Sequence, residues 1–280
     1  MADYTRRDFV KFLGGSGLAL TLTGCDLSFL GLGEKGERLS WEVKAAQHLD
    51  EVNLAEGLQY QIFRKWGDPI NKRGETFGFN NDYIAFLPLP EKDRAILWVN
   101  HEYPNPLFVS GANGNQKSKK QIDQERKSVG GSILEIVKND QGQWEVDLKA
   151  NRNQRIDGAT PIPFAGGVKV LGWSKAIGTL ANCAGGTTPW GTILTCEENY
   201  QDYYGDRKHG KDEIEFGPYG WHQSYQNPPE HYGWVVEVDP ESGEAKKHTA
   251  LGRFAHESAT TIRDASGKVV VYSGDDSENE

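Results

Sequence analysis

The sequence predicts an all-β protein, with a β-propeller as the leading architecture and a β-sandwich as the alternative. Glycine is frequent, at 33 of 280 residues, and there are 8 tryptophans, a mixture that suits short strands joined by tight turns. From about residue 57, short runs rich in β-branched and aromatic residues recur, each bounded by Gly, Pro, Asn or Asp. Residues 139–144 and 239–244 are typical of hairpin turns, and the second is of a kind common between propeller strands.

The predicted strands follow one another along the chain at close intervals. Examples are YQIFRKWG (60–67), DYIAFLPL (82–89), RAILWVNHE (94–102), GSILEIVKN (131–139), QWEVDL (143–148), GGVKVLG (166–172), GTILTCEE (191–198), GWVVEVDP (233–240) and KVVVYSGDD (268–276). Two segments interrupt them. Residues 110–128 are polar and predict a mobile loop or a short helix, and residues 202–232 indicate a functional lid or a partly disordered loop.

The charge balance excludes one class of partner and favours another. The formal net charge is −9 and the isoelectric point is about 5.4, so the surface repels nucleic acid, which we exclude as a partner. An acidic protein with clustered carboxylates can instead attract hard divalent cations.

The first 24 residues resemble a twin-arginine export signal. Arg6 and Arg7 precede Phe9 and a weakly apolar, glycine-containing run that is too short to remain as a transmembrane helix. The alternative is an ordinary basic N-terminus. We therefore expect residues 1–24 to be a signal peptide that the twin-arginine translocase recognises, with the mature protein periplasmic or otherwise extracytoplasmic.

The stretch LTGC (22–25) resembles a bacterial lipobox with Cys25 as the lipid acceptor. The alternative is a plain cysteine beyond a nearby cleavage site. We expect residues 25–56 to form a lipid-anchored tether, because acyl chains on Cys25 would hold a soluble domain at a membrane surface.

Four predicted strands end in residues of the kind that bind metals: WVNHE (98–102), TCEEN (195–199), RFAHE (253–257) and YSGDD (272–276). Strand ends on one face of a propeller surround its central channel, so distant carboxylates can converge there. Converging carboxylates repel one another unless a cation holds them, and hard cations such as Ca²⁺ take many oxygen ligands. A thiolate or imidazole suits a transition metal better.

Each strand end also has an ordinary explanation. Residues 100–102 suit a solvated turn, His256 suits a hydrogen-bonded interior histidine, and Asp275 and Asp276 suit an Asx turn.

Two interpretations of Cys196 stay open at this point. An exported compartment is oxidising, so Cys196 and Cys183 could form a disulfide. Alternatively, a thiol flanked by two glutamates, Glu197 and Glu198, is well suited to bind a metal.

The stretch NCAGGTTPWGTILTCEENY (182–200) resembles the signature of the PhoX family of bacterial alkaline phosphatases. Further stretches are similar to the family in the same order: FGFNNDYIAFLP (77–88), WVNHEYPNP (98–106), YGWVVEVDP (232–240), LGRFAHE (251–257) and YSGDD (272–276). The twin-arginine leader also fits, and the resemblance covers roughly residues 57–280.

This resemblance implies a β-propeller that holds calcium ions and an iron pair and hydrolyses phosphate esters. It implies that Cys196 is an iron ligand and that Glu102, Glu257 and Asp276 are further metal ligands. It also implies a ligand in the adjacent pair Glu197 and Glu198, where either glutamate could bind the metal. Residues implied to orient these ligands are His101, Asn199, His256 and Asp275.

We therefore expect a metal-dependent phosphatase that acts on phosphate monoesters outside the cytoplasm. Cations would bind the phosphoryl oxygens and activate water, and the sequence contains no GxSxG elbow or P-loop. Family members are longer, so we expect residues 57–280 to be the N-terminal part of a propeller, with little activity alone. The alternatives are a non-catalytic, calcium-stabilised binding module and a propeller hydrolase for another substrate, such as a lactone.

Overall fold

The computed structural model describes residues 52–114, 116–208 and 210–277. The expected signal peptide with Arg6 and Arg7, and the proposed lipid site Cys25, lie outside these residues. Within the described part of the chain, no helix has the length and apolar character needed to cross a bilayer.

The chain divides into two compact units, residues 1–61 and 62–280. Of the first unit, the structure describes residues 52–61, which contain a turn closed by a hydrogen bond from Leu58 N to Ala55 O. All the helices and strands named below belong to the second unit.

The described residues are mostly β-structure, and most of the strands are short. The strands are β1 (Asn81–Pro88), β2 (Arg94–His101), β3 (Gly130–Lys138), β4 (Trp144–Val146), β5 (Gln154–Ile156), β6 (Pro161–Pro163), β7 (Lys175–Ile177), β8 (Asn182–Thr187), β9 (Ile193–Glu197), β10 (Asp206–Arg207), β11 (Ile214–Glu215), β12 (Val235–Val238), β13 (Ala245–His248), β14 (Thr260–Arg263) and β15 (Val269–Tyr272).

The helices are fewer and belong largely to the two interrupting segments. They are α1 (Pro106–Val109), α2 (Lys119–Ser128) and α3 (Gln201–Tyr204), with 3₁₀ turns at Ala165–Gly167, Trp221–Gln223, Pro229–His231 and Thr249–Leu251. Helix α2 begins with a capping box in which Ser118 and Gln121 bond each other's backbone N–H. The short helix expected within residues 110–128 is therefore confirmed.

Two antiparallel sheets dominate the fold. The first has five strands in the order β1-β2-β3-β4, with β5 also paired to β3, and the second has four strands in the order β13-β12-β9-β8. The predicted turns join β3 to β4 and β12 to β13, so both hairpins are confirmed. The all-β prediction holds, but the described strands form no closed ring, so the propeller is taken up again as a proposal.

The two sheets share one apolar core. Ile96, Trp98 and Ile133 of the first sheet pack in one cluster with Ile193 and Val236 of the second. Burying such side chains contributes about 1.5–3 kcal/mol each. This core fixes where the ends of β2 and β9 lie.

Asn100, near the end of β2, ties the two sheets together by hydrogen bonds. Its amide donates to Cys183 O at 2.8 Å, and its Oδ1 accepts from Trp98 Nε1 at 2.7 Å and from Thr195 Oγ1 at 2.8 Å. Asn100 and His101 are wholly buried, so a solvated turn at these two residues is wrong.

The two interrupting segments pack against each other around a second, aromatic core. Ile122 of α2 lies in one cluster with Tyr203, Tyr204 and Trp221. Beside it, the buried carboxylate of Glu125 accepts from Trp221 Nε1 at 2.8 Å and from Lys117 Nζ at 2.7 Å. The described part of residues 202–232 is therefore folded onto α2.

Two of the predicted strands are wrong. Residues 60–67 form no strand, because none of the described strands pairs with them. Ile62 and Trp66 in this segment are exposed. Residues 166–172 contain Gly166, Gly167 and Leu171 in the left-handed region, at φ 67°, 72° and 48°, which an extended strand does not allow.

Candidate functional site

Three of the four nominated segments lie side by side, although the expected strand ending in residues 253–257 is wrong, because this segment forms only an isolated bridge at His256. At the end of β9, the carbonyl oxygen of Glu197 accepts a hydrogen bond from His256 N at 3.2 Å. The segment containing His256 also pairs with the segment after β15, since Asp276 N donates to Ala255 O at 3.1 Å and His256 forms an antiparallel bridge with Asp275. Motifs that are far apart in sequence are thereby brought into one region.

Glu198, Glu257 and Asp276 form an acidic cluster in this region. One carboxylate oxygen from each lies within 4.8 Å of those of the other two, and no other such group occurs in the described ranges. Glu198 is buried, whereas Glu257 and Asp276 are exposed. Burial raises the pKa of Glu198, and its hydrogen bond to Asp276 and the charge of Glu257 add to this rise against the opposing bond from Cys183.

Glu102 lies just past the end of β2 and is coupled to the acidic cluster. Burial, the charges of Asp82 and Glu198 and a hydrogen bond with Asp82 raise its pKa to about 7, against the lowering effect of Tyr103. Tyr103 is itself held by Asn199, whose Nδ2 donates to the phenol oxygen at 2.8 Å. Asn199 therefore orients Tyr103, which in turn contacts the candidate ligand Glu102.

Asp82 is a carboxylate that the sequence reasoning missed. It lies at the start of β1, beside the end of β2, because Asn81 pairs with His101 in the register of these strands. Burial raises the pKa of Asp82, and its hydrogen bond with Glu102 opposes this rise. Two carboxylates in contact indicate a shared proton or a shared cation.

Glu197 has a different environment from its neighbour Glu198. Its side chain is wholly buried, and its Oε1 accepts from Lys247 Nζ at 2.6 Å and from Leu180 N at 3.1 Å. Its Oε2 accepts from Trp234 N at 3.1 Å. Both oxygens are already engaged, so the geometry favours Glu198 as the ligand of the pair.

Cys196 lies within β9 and is wholly buried. Its side chain packs in an apolar cluster with Leu194, Val235 and Ala259, and burial together with the charge of Glu197 raises its pKa to about 12. Such a thiol gives up its proton only when a metal or another cation compensates for the charge. Its role as an iron ligand stays a prediction.

Cys183 is the second candidate that the sequence reasoning missed. Its thiol shares a hydrogen bond with Glu198 and lies 3.5 Å from His256 O, and burial raises its pKa. Cys183 and Cys196 are both free thiols, so the structure does not support the disulfide alternative. No local sequence pattern marked Cys183, because β8 was not predicted and its pairing with β9 places the thiol near Glu198.

His256 and His101 differ in the hydrogen-bond partners of their ring nitrogen atoms. His256 is buried with Nδ1 2.7 Å from Ser273 Oγ and Nε2 3.0 Å from Gly252 O, so the interior, hydrogen-bonded histidine is confirmed. His101 has Nε2 2.7 Å from Ser132 Oγ, while its Nδ1 is buried without a partner among the described residues. Burial lowers the pKa of both histidines, which favours neutral rings.

Asp275 lies in an exposed turn beside Asp276. Its Oδ1 accepts a hydrogen bond from Ser277 N at 3.1 Å, which is the Asx turn expected as the ordinary explanation. Asp275 also bridges to His256 through the backbone, so it positions the segment that carries Asp276.

The donor set fits a hard cation. Within the described ranges, no ion pair joins Glu198, Glu257 or Asp276 to a cationic side chain, so the three carboxylates would repel one another when ionised. Ca²⁺ is bound by such oxygen ligands. A thiol that hydrogen-bonds Glu198 adds a softer donor of the kind that iron accepts. The carboxylates of the acidic cluster therefore fit calcium. An iron ion would additionally need a cysteine thiolate as a ligand.

A cleft of about 430 Å³ opens beside the cluster. Its lining comes from the chain after β9, the segment before Glu257 and the segment after β15. The lining residues are Asn199, Tyr200, Gln201, Asp206, Phe254, Ala255, Asp276 and Ser277. A small anionic molecule could reach the exposed side of the cluster through this cleft.

Comparisons with known proteins identify the family to which the chain is similar. A family model described as alkaline phosphatase PhoX matches residues 39–280. The solved structure of Pseudomonas fluorescens PhoX in complex with vanadate, a transition state analogue, is 30% identical with a TM-score of 0.76, and the match covers 85% of this chain and 49% of that chain. A search of curated proteins finds no match. This chain thus spans about half the length of the matched PhoX structure, and it belongs to the PhoX family of alkaline phosphatases.

Proposed function

We propose that this chain supplies part of the metal centre of a phosphatase that hydrolyses phosphate monoesters. The observation that carries the proposal is the convergence of Glu198 after β9, Glu257 between β13 and β14, and Asp276 after β15, in a member of the PhoX family. The matched structure is a complex with vanadate, a transition state analogue, and this supports phosphoryl chemistry as the reaction.

The chemistry follows from the charges. With a net charge of −9, the protein would repel a phosphate monoester unless cations masked the carboxylates. Bound calcium and iron would supply that masking, polarise the phosphoryl group and activate water. Glu198, Glu257 and Asp276 would hold calcium, and Cys196 or Cys183 would provide the thiolate for iron.

Residues around the cluster would keep these ligands in place. Lys247 bonds Glu197 and so anchors the strand end that precedes Glu198. Asn199 and Tyr103 connect this strand end to Glu102, whose carboxylate would be a further ligand. Ligands that are held before the metal arrives bind it with less loss of conformational entropy.

For the architecture we propose a β-propeller in which the sheet β13-β12-β9-β8 is one blade. Support comes from its four antiparallel strands and from the metal-type residues at the end of β9. The expectation that these 280 residues alone hydrolyse phosphate esters poorly stays a prediction, which a phosphatase assay with added calcium and iron tests.

We also propose export by the twin-arginine translocase and membrane attachment through Cys25. The support is the leader motif with Arg6 and Arg7 and the lipobox-like stretch that ends at Cys25.

A second candidate is a non-catalytic binding module stabilised by calcium. The all-oxygen composition of the acidic cluster favours it, because a calcium site needs no thiolate. Metal analysis of the purified, folded chain distinguishes the two candidates. Calcium together with iron supports the phosphatase, and calcium alone supports the binding module. If the chain contains neither metal, both candidate functions are rejected.

A further inference from the structure

The sulfur atom of Cys183 lies between two oxygen acceptors of the candidate metal centre. Its Sγ is 3.5 Å from His256 O, and its thiol forms a hydrogen bond with the carboxylate of Glu198. The side chain is 4% exposed, so water competes little for the thiol proton. Cys183 therefore contacts one member of the acidic cluster and the residue that precedes a second member, Glu257.

Asn100 fixes the backbone that carries this sulfur atom. Its Nδ2 donates to Cys183 O at 2.8 Å and to Ala184 O at 3.1 Å. Asn100 is wholly buried, and its Oδ1 accepts from Trp98 and Thr195, so a rotation of the amide would break several hydrogen bonds at once. The sulfur of Cys183 therefore has a fixed place beside β9 before any cation binds.

Glu198 has its backbone fixed by two neighbouring segments. Its N–H donates to Ala181 O at 3.1 Å, and the carbonyl oxygen just before it accepts from His256 N at 3.2 Å. The carboxylate lies at the end of a longer side chain with several rotatable bonds, so its direction depends on side-chain contacts. A hydrogen bond to the carboxylate is therefore needed to orient it.

Two neutral side chains form hydrogen bonds with the carboxylate of Glu198, and they are Cys183 and Asn199. The Nδ2 of Asn199 also donates to the hydroxyl oxygen of Tyr103 at 2.8 Å, so this amide serves two partners. Cys183 has a single proton to donate, and a carboxylate is a stronger acceptor than the peptide carbonyl of His256. Cys183 thus donates mainly to Glu198.

The surroundings of Cys183 suit a protonated sulfur. A thiolate there would face the carbonyl oxygen of His256 and the carboxylate of Glu198, and both oxygens repel a negative charge. Cys196 instead packs in the apolar cluster with Leu194 and Val235. These contacts favour Cys183 as a hydrogen-bond donor and leave Cys196 as the iron ligand that the family resemblance implies.

We propose that Cys183 is a positioning residue, whose thiol donates a hydrogen bond to Glu198 and holds its carboxylate towards Glu257 and Asp276. The proposal rests on the proposed function, because it concerns the same acidic cluster. A ligand that is oriented before the cation arrives loses less conformational entropy when it binds. Loss of the thiol should therefore weaken cation binding although Cys183 does not touch the cation.

Calorimetric titration of the full 280-residue chain with calcium tests this role. Cys183→Ala removes the donor and should weaken calcium binding by about fivefold to tenfold. Cys183→Ser supplies a hydroxyl donor and should restore the affinity to within about twofold of the wild type. Equal calcium affinity of the alanine variant and the wild type would overturn the proposal, and so would a serine variant as weak as the alanine variant.

A control variant separates this role from a general loss of stability. Val146→Ala also shortens a buried side chain, in an apolar cluster that contains no residue of the candidate metal centre. It should destabilise the fold but leave calcium affinity unchanged. If Val146→Ala weakens calcium binding as much as Cys183→Ala does, the positioning role is wrong.

Infrared spectroscopy of the S–H stretch detects the hydrogen bond in the absence of calcium. The Cys183 band is the one that disappears in Cys183→Ala. It should lie at lower frequency than the Cys196 band, since a donated hydrogen bond weakens the S–H bond and Cys196 packs among apolar side chains. Glu198→Gln replaces the charged acceptor and should shift the Cys183 band to higher frequency. A band that does not move would contradict the hydrogen bond to Glu198.

The measurements distinguish a failure of this role from a failure of the proposed function. A wild-type chain that binds no calcium would contradict the metal centre, and the positioning role with it. Calcium binding that is unchanged in Cys183→Ala contradicts only the role of Cys183. If Cys183→Ala loses iron that the wild-type chain holds, Cys183 is an iron ligand and the positioning role is wrong.

Discussion

Lys247 and Glu197 form an ion pair in which Nζ lies 2.6 Å from Oε1 and both side chains are wholly buried. The ammonium group also donates to His231 O at 2.9 Å and lies 4.5 Å from the centre of the Tyr232 ring. Since Glu197 precedes Glu198 in the chain, this pair anchors the strand end from which the acidic cluster is built. The ion pair therefore stabilises the strand end that carries Glu198 of the candidate metal centre.

Removing the cation of this pair should destabilise the fold. Lys247→Met leaves Glu197 charged and buried, so we expect a loss of about 3–5 kcal/mol in the free energy of unfolding. Denaturant unfolding measures it. Lys268→Met removes an exposed lysine and should change stability by less than about 0.5 kcal/mol. A loss below about 1 kcal/mol for Lys247→Met would show that the pair does not hold the strand end.

Of the two glutamates at the end of β9, we expect Glu198 to be the calcium ligand. Glu198→Gln removes one negative charge at a buried position, so calcium affinity should fall at least about tenfold in a calorimetric titration. Glu145→Gln changes an exposed glutamate on β4 and should leave the affinity unchanged. Calcium affinity that is equal in the two variants would assign the site to other residues.

The two cysteines should differ in their effect on iron. By the family resemblance, Cys196→Ser should abolish iron binding while the calcium-bound fold persists, as iron analysis and circular dichroism would show. Cys183→Ser serves as the comparison, because its thiol contacts Glu198. If Cys183→Ser loses iron and Cys196→Ser retains it, the ligand assignment of Cys196 is wrong.

Export should depend on the paired arginines of the leader. Replacing Arg6 and Arg7 together with lysines is expected to retain the protein in the cytoplasm, as cell fractionation would show. Cys25→Ser should leave export intact but release the protein from the membrane fraction. Normal export of the double-lysine variant would exclude the twin-arginine route.

Much of the β-structure could be predicted because β2, β3, β9 and β12 are dense in β-branched residues and bounded by turn residues. Residues 166–172 could not, since their left-handed backbone at Gly166 and Gly167 depends on tertiary context. Short strands such as β5 and β10 carry too few residues for a pattern.

The acidic cluster could be anticipated because each of its members ends a short stretch in which ligand-type residues follow apolar ones, although only Glu198 directly follows a strand. What the sequence did not reveal was which way adjacent side chains point. Glu197 turns to Lys247, a residue on β13, and Cys183 reaches Glu198 from the neighbouring strand β8. These contacts depend on the order and register of strands in the sheet, which local patterns do not encode.

The central claim is that Glu198, Glu257 and Asp276 jointly hold a cation. Anomalous diffraction from crystals of the chain grown with calcium tests it most directly. The account predicts a peak between the three carboxylates, with oxygen atoms from each at about 2.3–2.6 Å. No peak at this position in a calcium-saturated crystal would contradict the proposed metal centre.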